Sequence, residues 1–111
     1  ITIYNMLKNH SGFKTVYIDG LAASIASVIA LAGDKVVMRT GSSFMIHKPM
    51  FGIWGMYNSD EFRKMATDLD SIQECIMQVY KENIKDNVDI KTIEEMVNNG
   101  CQVMKQKSIL K

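Results

Sequence analysis

In the stretch Tyr17-Ile18-Asp19-Gly20-Leu21-Ala22-Ala23-Ser24, a β-branched and aromatic run passes through a glycine turn into alanine-rich chain. Thr15-Val16-Tyr17-Ile18 has the composition of a short buried strand, and Asp19-Gly20 makes a sharp turn after it. Residues 21–32 are apolar on nearly every face, which predicts a buried helix ended by Gly33. Lys35-Val36-Val37-Met38 predicts a second strand, Thr40-Gly41-Ser42 a turn, and Ser43-Phe44-Met45-Ile46-His47 a third strand that stops before Pro49. Strand, helix, strand at this spacing is the grammar of an α/β layered domain.

Upstream, residues 1–9 read as the end of an amphipathic helix with Ile3, Met6 and Leu7 on one face, closed by His10-Ser11-Gly12 with Gly12 as a left-handed cap. Ile1 is not a start methionine and the pattern opens in mid-helix, so a segment upstream is expected to be missing. Downstream, Phe51-Gly52-Ile53-Trp54-Gly55 is a glycine-interrupted apolar stretch, either an edge strand or a loop that a second backbone can approach closely. Phe62, Met65, Leu69, Ile72, Ile76, Val79 and Tyr80 recur every three or four positions and predict one long amphipathic helix over 60–83, capped by Asn58 or Ser59. Thr92-Ile93-Glu94-Glu95 matches a capping box and predicts a short helix reaching about Asn98.

The bulk numbers narrow the class. At 111 residues the chain has room for one domain, or most of one, and a chain this short gains from partner subunits. Hydrophobic residues are 47%, charged residues 23% and the formal net charge is +1, which offers no basic field for nucleic acid. Cys75 and Cys101 form neither a disulfide framework nor a metal-type spacing, so a reduced, cytoplasmic protein without structural metal or cofactor is expected. The apolar run 21–32 is shorter than the ~20 residues that span a bilayer, and no membrane association is expected. Nine methionines suit adaptable apolar surfaces, with Met65 and Met77 read as core or subunit contacts. Cys75 reads as a small buried or interfacial residue, His10 as solvated and Trp54 as an interface anchor.

Ser24 lies just past a tight strand-to-helix turn among small residues, where a hydroxyl is exposed and the first N–H groups of a helix can bind an oxyanion. A serine in a packed alanine-rich helix and a histidine at a strand end each have an ordinary structural reading. Together they say more, because two neighbouring strands of a parallel sheet bring Ser24 and His47 to one edge, where α/β sheets carry their sites.

Gly20-Leu21-Ala22-Ala23-Ser24 followed by Met45-Ile46-His47-Lys48-Pro49 resembles the paired nucleophile and histidine motifs of the Clp protease proteolytic subunit family, over about residues 4–97. Residues 17–24, Ala32-Gly33-Asp34-Lys35-Val36 and residues 51–55 look closest to the phage or prophage branch, the head-maturation proteases. The resemblance implies a ClpP/crotonase-type β-superhelix with surrounding helices. It implies Ser24 as acylating nucleophile, His47 as general base and acid, and the Ile25 N–H as an oxyanion donor. Gly52, Ile53 and Trp54 would lie on the handle strand that pairs with substrate backbone, and residues 60–83 would form the handle helix through which heptameric rings stack. Implied partners are peptide or protein substrates, further copies of the chain, and an unfoldase or phage capsid proteins.

Two departures accompany the likeness. The family's glycine-rich oxyanion loop lies upstream of the first helix, and the triad acid follows the short helix, where Val97-Asn98-Asn99-Gly100-Cys101-Gln102-Val103 has no carboxylate. Little or no peptidase activity is therefore expected of this chain alone. Residues 1–99 are read as a partial peptidase domain and 100–111 as a divergent tail. Two other functions compete: a non-catalytic ring-forming subunit, and a crotonase-like acyl-thioester enzyme, which needs no serine nucleophile.

Overall fold

The computed structural model describes residues 1–84, 86, 88–99 and 102–104. Helix α1 (Thr2–Asn9) leads into β1 (Thr15–Ile18), β2 (Leu21–Ala23), α2 (Ile25–Ala30), β3 (Lys35–Met38) and β4 (Ser43–Ile46). The long α3 (Ser59–Asn83), α4 (Ile90–Asn98) and β5 (Gln102–Met104) complete the order. The chain is thus a mixed α/β protein.

The strands pair across the helix rather than with their sequence neighbours. β1 lies parallel to β3, from Thr15 opposite Lys35 to Ile18 opposite Met38. β2 lies parallel to β4, with Leu21, Ala22 and Ala23 opposite Ser43, Phe44 and Met45. β5 closes the second sheet antiparallel to β4, Met104 opposite Phe44. Two consecutive short strands on one side of α2 therefore stack on the next two, each in its own sheet.

Residues 21–23 correct the expected helix over 21–32. Leucine and alanine favour helix locally, but the neighbouring strand Ser43–Ile46 offers ladder hydrogen bonds, and that non-local pairing wins. Only Ile25–Ala30 remain helical, too short a segment to stand alone and held instead by burial of Ser27, Val28 and Ala30. Val28, Ile46, Tyr80, Ile93 and Val97 are fully buried, and each such side chain contributes about 1.5–3 kcal/mol on leaving water. The core thus lies where α2, β4, the end of α3 and α4 meet.

Other boundaries moved for local reasons. His10 ends α1 in extended conformation with φ −67°, and Gly12 is not left-handed; its N–H instead meets His10 Nδ1 at 3.1 Å. Asp89, rather than Thr92, caps α4 by accepting from the Lys91 N–H at 3.0 Å. Asn58 caps α3 as expected, with Glu61 returning the bond to the Asn58 N–H at 2.8 Å. Of α3's 25 residues only Val79, Tyr80 and Asn83 are buried, so the apolar stripe toward Phe62 is only partly covered by its own chain. None of the described helices is long and apolar enough to cross a membrane. Of the expected divergent tail, residues 100, 101 and 105–111, Cys101 among them, lie outside the described residues.

Candidate active site

β2 and β4 run side by side, and the chain leaves each at the same end of the sheet: β2 into Ser24, β4 into His47. Ser24 is the one non-glycine residue with positive φ among the described residues, at φ 56° and ψ −126°. That conformation costs a residue with a Cβ about 1–3 kcal/mol and persists only where the surroundings impose it. Ser24 also stands at the N-cap of α2, where a serine ordinarily spends its oxygen on a helix N–H; here the side chain makes no capping bond. The hydroxyl is left free to face out of the turn. The Ile25 N–H, first in the helix, likewise has no acceptor among the described residues.

His47 is half-buried directly after β4. Its Nδ1 lies 2.6 Å from the carbonyl oxygen of Lys48, which can only accept, so Nδ1 carries the hydrogen and Nε2 is the basic nitrogen of the neutral ring. Ser24, Ile25 and His47 line one pocket of about 340 Å³, together with Phe51, Ile72 and Tyr80. No hydrogen bond joins Ser24 to His47, and none of the pocket's residues carries a carboxylate. Among the described residues the orienting role of an acid therefore falls, geometrically, to a backbone carbonyl. A larger pocket of about 430 Å³ lies between α3 and α4, lined by the carboxylates of Asp70, Glu74 and Glu94, but no serine, cysteine or histidine lines it. Chemistry rather than size selects the first.

Under the elbow a second polar chain is buried. Ser27 Oγ donates to the Ser24 carbonyl at 2.5 Å and meets Tyr80 Oη at 2.9 Å. Burial pushes the Tyr80 phenol above its ordinary 10.0.

The sequence-expected substrate residues lie apart from this pocket. Residues 47–58 form no helix or strand, and the peptide groups of 50–56 pair with no other backbone group of the described residues, although the Trp54 carbonyl accepts the Tyr57 hydroxyl at 3.1 Å. Met50 and Phe51 line the pocket, whereas Gly52, Ile53 and Trp54 do not, and Trp54 is 96% exposed. A Cβ added at Gly52 would meet nothing within 4 Å, so the backbone there is open to approach. Ser27, Tyr80 and the Lys48 carbonyl were not foreseen; Tyr80 appeared in the sequence only as a member of an apolar stripe.

A serine at positive φ on a strand-to-helix junction thus shares a pocket with a histidine that directly follows the neighbouring parallel strand. The chain belongs to the Clp protease family, whose model matches residues 1–106. Curated proteins give no match. The family carries a serine-peptidase type of fold, in keeping with the mixed helix and strand seen here.

Proposed function

We propose that the chain is the peptidase unit of a Clp-type serine endopeptidase acting through an acyl-enzyme. Ser24 Oγ attacks the scissile carbonyl carbon while His47 Nε2 takes its proton, and the Ile25 N–H stabilises the oxyanion. The C–N bond breaks as Nε2 passes the proton to the leaving amine. Water then cleaves the acyl-serine by the same route in reverse. The observation that carries this reading is Ser24 itself, held at positive φ with its hydroxyl unspent and lining the pocket that His47 lines.

The rest follows from the family and supports a fuller picture. The alternating pairing of β1 with β3 and β2 with β4 fits successive turns of a β-superhelix. Residues 52 and 53, whose backbone pairs with no other backbone group among the described residues, suit an extended peptide that adds as a strand. The uncovered stripe of α3 suits contact with further copies of the chain in stacked rings. The likeness of residues 17–24 to the phage or prophage head-maturation branch supports a reading within that branch, with an unfoldase or phage capsid proteins as partners. A second reading, a ring-forming subunit without chemistry, is favoured by the absence of a carboxylate from the pocket.

A fluorophosphonate probe separates the two, because it phosphonylates only an activated serine, with loss of fluoride. Labelling at Ser24, abolished in Ser24→Ala and strongly reduced in His47→Ala, is the expected result. A protein that takes up no probe yet assembles into rings would establish the second reading.

A further inference from the structure

A residue in a strained conformation stays there only while its neighbours over-determine it, and Ser24 has few local means of doing so. Its side chain makes no cap, and α2 behind it is only six residues long. What holds its peptide is the carbonyl, which accepts the Ser27 N–H at 3.1 Å and the Ser27 hydroxyl at 2.5 Å. Ser27 is fully buried, so water cannot replace either bond. A serine hydroxyl has a single hydrogen, and the carbonyl can only accept, so that hydrogen belongs to the Ser24 contact. In the 2.9 Å contact between Ser27 and Tyr80 the phenol must then be the donor. The direction of the whole chain is fixed: Tyr80 O–H to Ser27 Oγ, Ser27 O–H to Ser24 carbonyl.

We propose that Tyr80, acting through Ser27, is the positioning residue that holds Ser24 in its reactive elbow. The proposal rests on Ser24 being the nucleophile only for its catalytic consequence. Tyr80 comes from α3, 53 positions away, and is 1% exposed, so the brace ties the elbow to the long helix through a dry contact. Tyr80 lines the Ser24 pocket, and its hydroxyl also bonds Ser27, which does not line it. One side chain thus has two separable parts, a pocket wall and a brace, and Tyr80→Phe removes only the second.

The test pairs a reactivity readout with a conformational one, in Tyr80→Phe, Ser27→Ala and the double variant. The fluorophosphonate labelling rate of Ser24 is expected to fall about tenfold in each single variant, with the double variant no slower, because one chain is cut twice. The probe concentration giving half-maximal rate should stay unchanged in Tyr80→Phe, since the pocket wall is intact. The carbon NMR shifts of Ser24 Cα and Cβ, which report its backbone angles, should move in both single variants. Shifts that stay at their wild-type positions overturn the brace whether or not Ser24 reacts, and so does labelling at the wild-type rate in both variants. Wild-type protein that takes up no probe, with shifts that move in both variants, upholds the brace and removes the peptidase reading instead. If Tyr80→Phe does not fold, Ser27→Ala decides alone.

Discussion

His47 gives its Nδ1 hydrogen to the carbonyl oxygen of Lys48, 2.6 Å away, and this leaves Nε2 as the nitrogen that can take a proton from a hydroxyl in the same pocket. A carboxylate in that position would fix the same tautomer and also balance the charge of the imidazolium. A carbonyl does the first and not the second, and loss of the carboxylate's role costs on the order of 10⁴ in turnover in serine proteases. Nitrogen NMR of His47 should therefore show the Nδ1–H tautomer in the neutral ring, unchanged in Lys48→Ala because the contact is to backbone. An Nε2–H tautomer would remove His47 as a base for Ser24.

The positive φ of Ser24 predicts a separation of stability from chemistry. Glycine adopts such angles without the cost of a Cβ, so Ser24→Gly should be more stable than Ser24→Ala by about 1 kcal/mol, although neither can be acylated. Urea unfolding of the two variants measures the difference. Equal stabilities would mean that the elbow stores no strain.

Gly33 follows α2 where the chain turns under β1, and a Cβ there would lie 2.7 Å from Val16 Cγ2 and 3.1 Å from the Lys35 carbonyl oxygen. A stiff β-branched side chain and a strand backbone cannot easily give way. Gly33→Ala should lose about 1–3 kcal/mol by overpacking. Gly20→Ala, with nothing within 4 Å of the new methyl, is the control and should stay within about 0.5 kcal/mol of wild type.

Asp34 gives an acid-sensitive contribution whose sign is fixed. Its carboxylate accepts the Lys14 N–H at 2.7 Å and pairs with Lys14 Nζ at 3.2 Å, and these contacts, the backbone bond foremost, hold it below its ordinary 3.8. The folded state therefore binds this proton more weakly than the unfolded chain does. The stabilisation is present above the ordinary value and lost as pH falls through the folded one. The gap in unfolding midpoint between wild type and Asp34→Asn should close as pH falls from above the ordinary 3.8 through the lowered folded value. A gap of constant size across that window would show that the carboxylate's charge is not what matters.

Ser24 and His47 were legible as residues of two short motifs, although the strand expected to deliver Ser24 was 15–18, which pairs with β3, while it is β2 that lies beside β4. Residues 21–23 were not, since leucine and alanine declare helix and only the partner edge at 43–45 makes them strand. Gly12 and Thr92 carried the right letters for caps, but His10 and Asp89 took those positions. The Ser27–Tyr80 contact was beyond reach of pattern reading: it joins residues 53 apart, and at helical spacing a buried tyrosine looks like any apolar residue.

The reciprocal bonds between Asn58 and Glu61 secure the start of α3 by purely local chemistry, while Val79, Tyr80 and Asn83 secure its end in the core. One continuous helix is thus two cooperative units in hydrogen exchange. In the isolated chain, amides of its first turns should open on their own at small free-energy cost, whereas those near Tyr80 should exchange only when the whole core comes apart. Deuterium uptake along α3 would then record how much of the helix the fold itself owns, and how much waits for something to cover it.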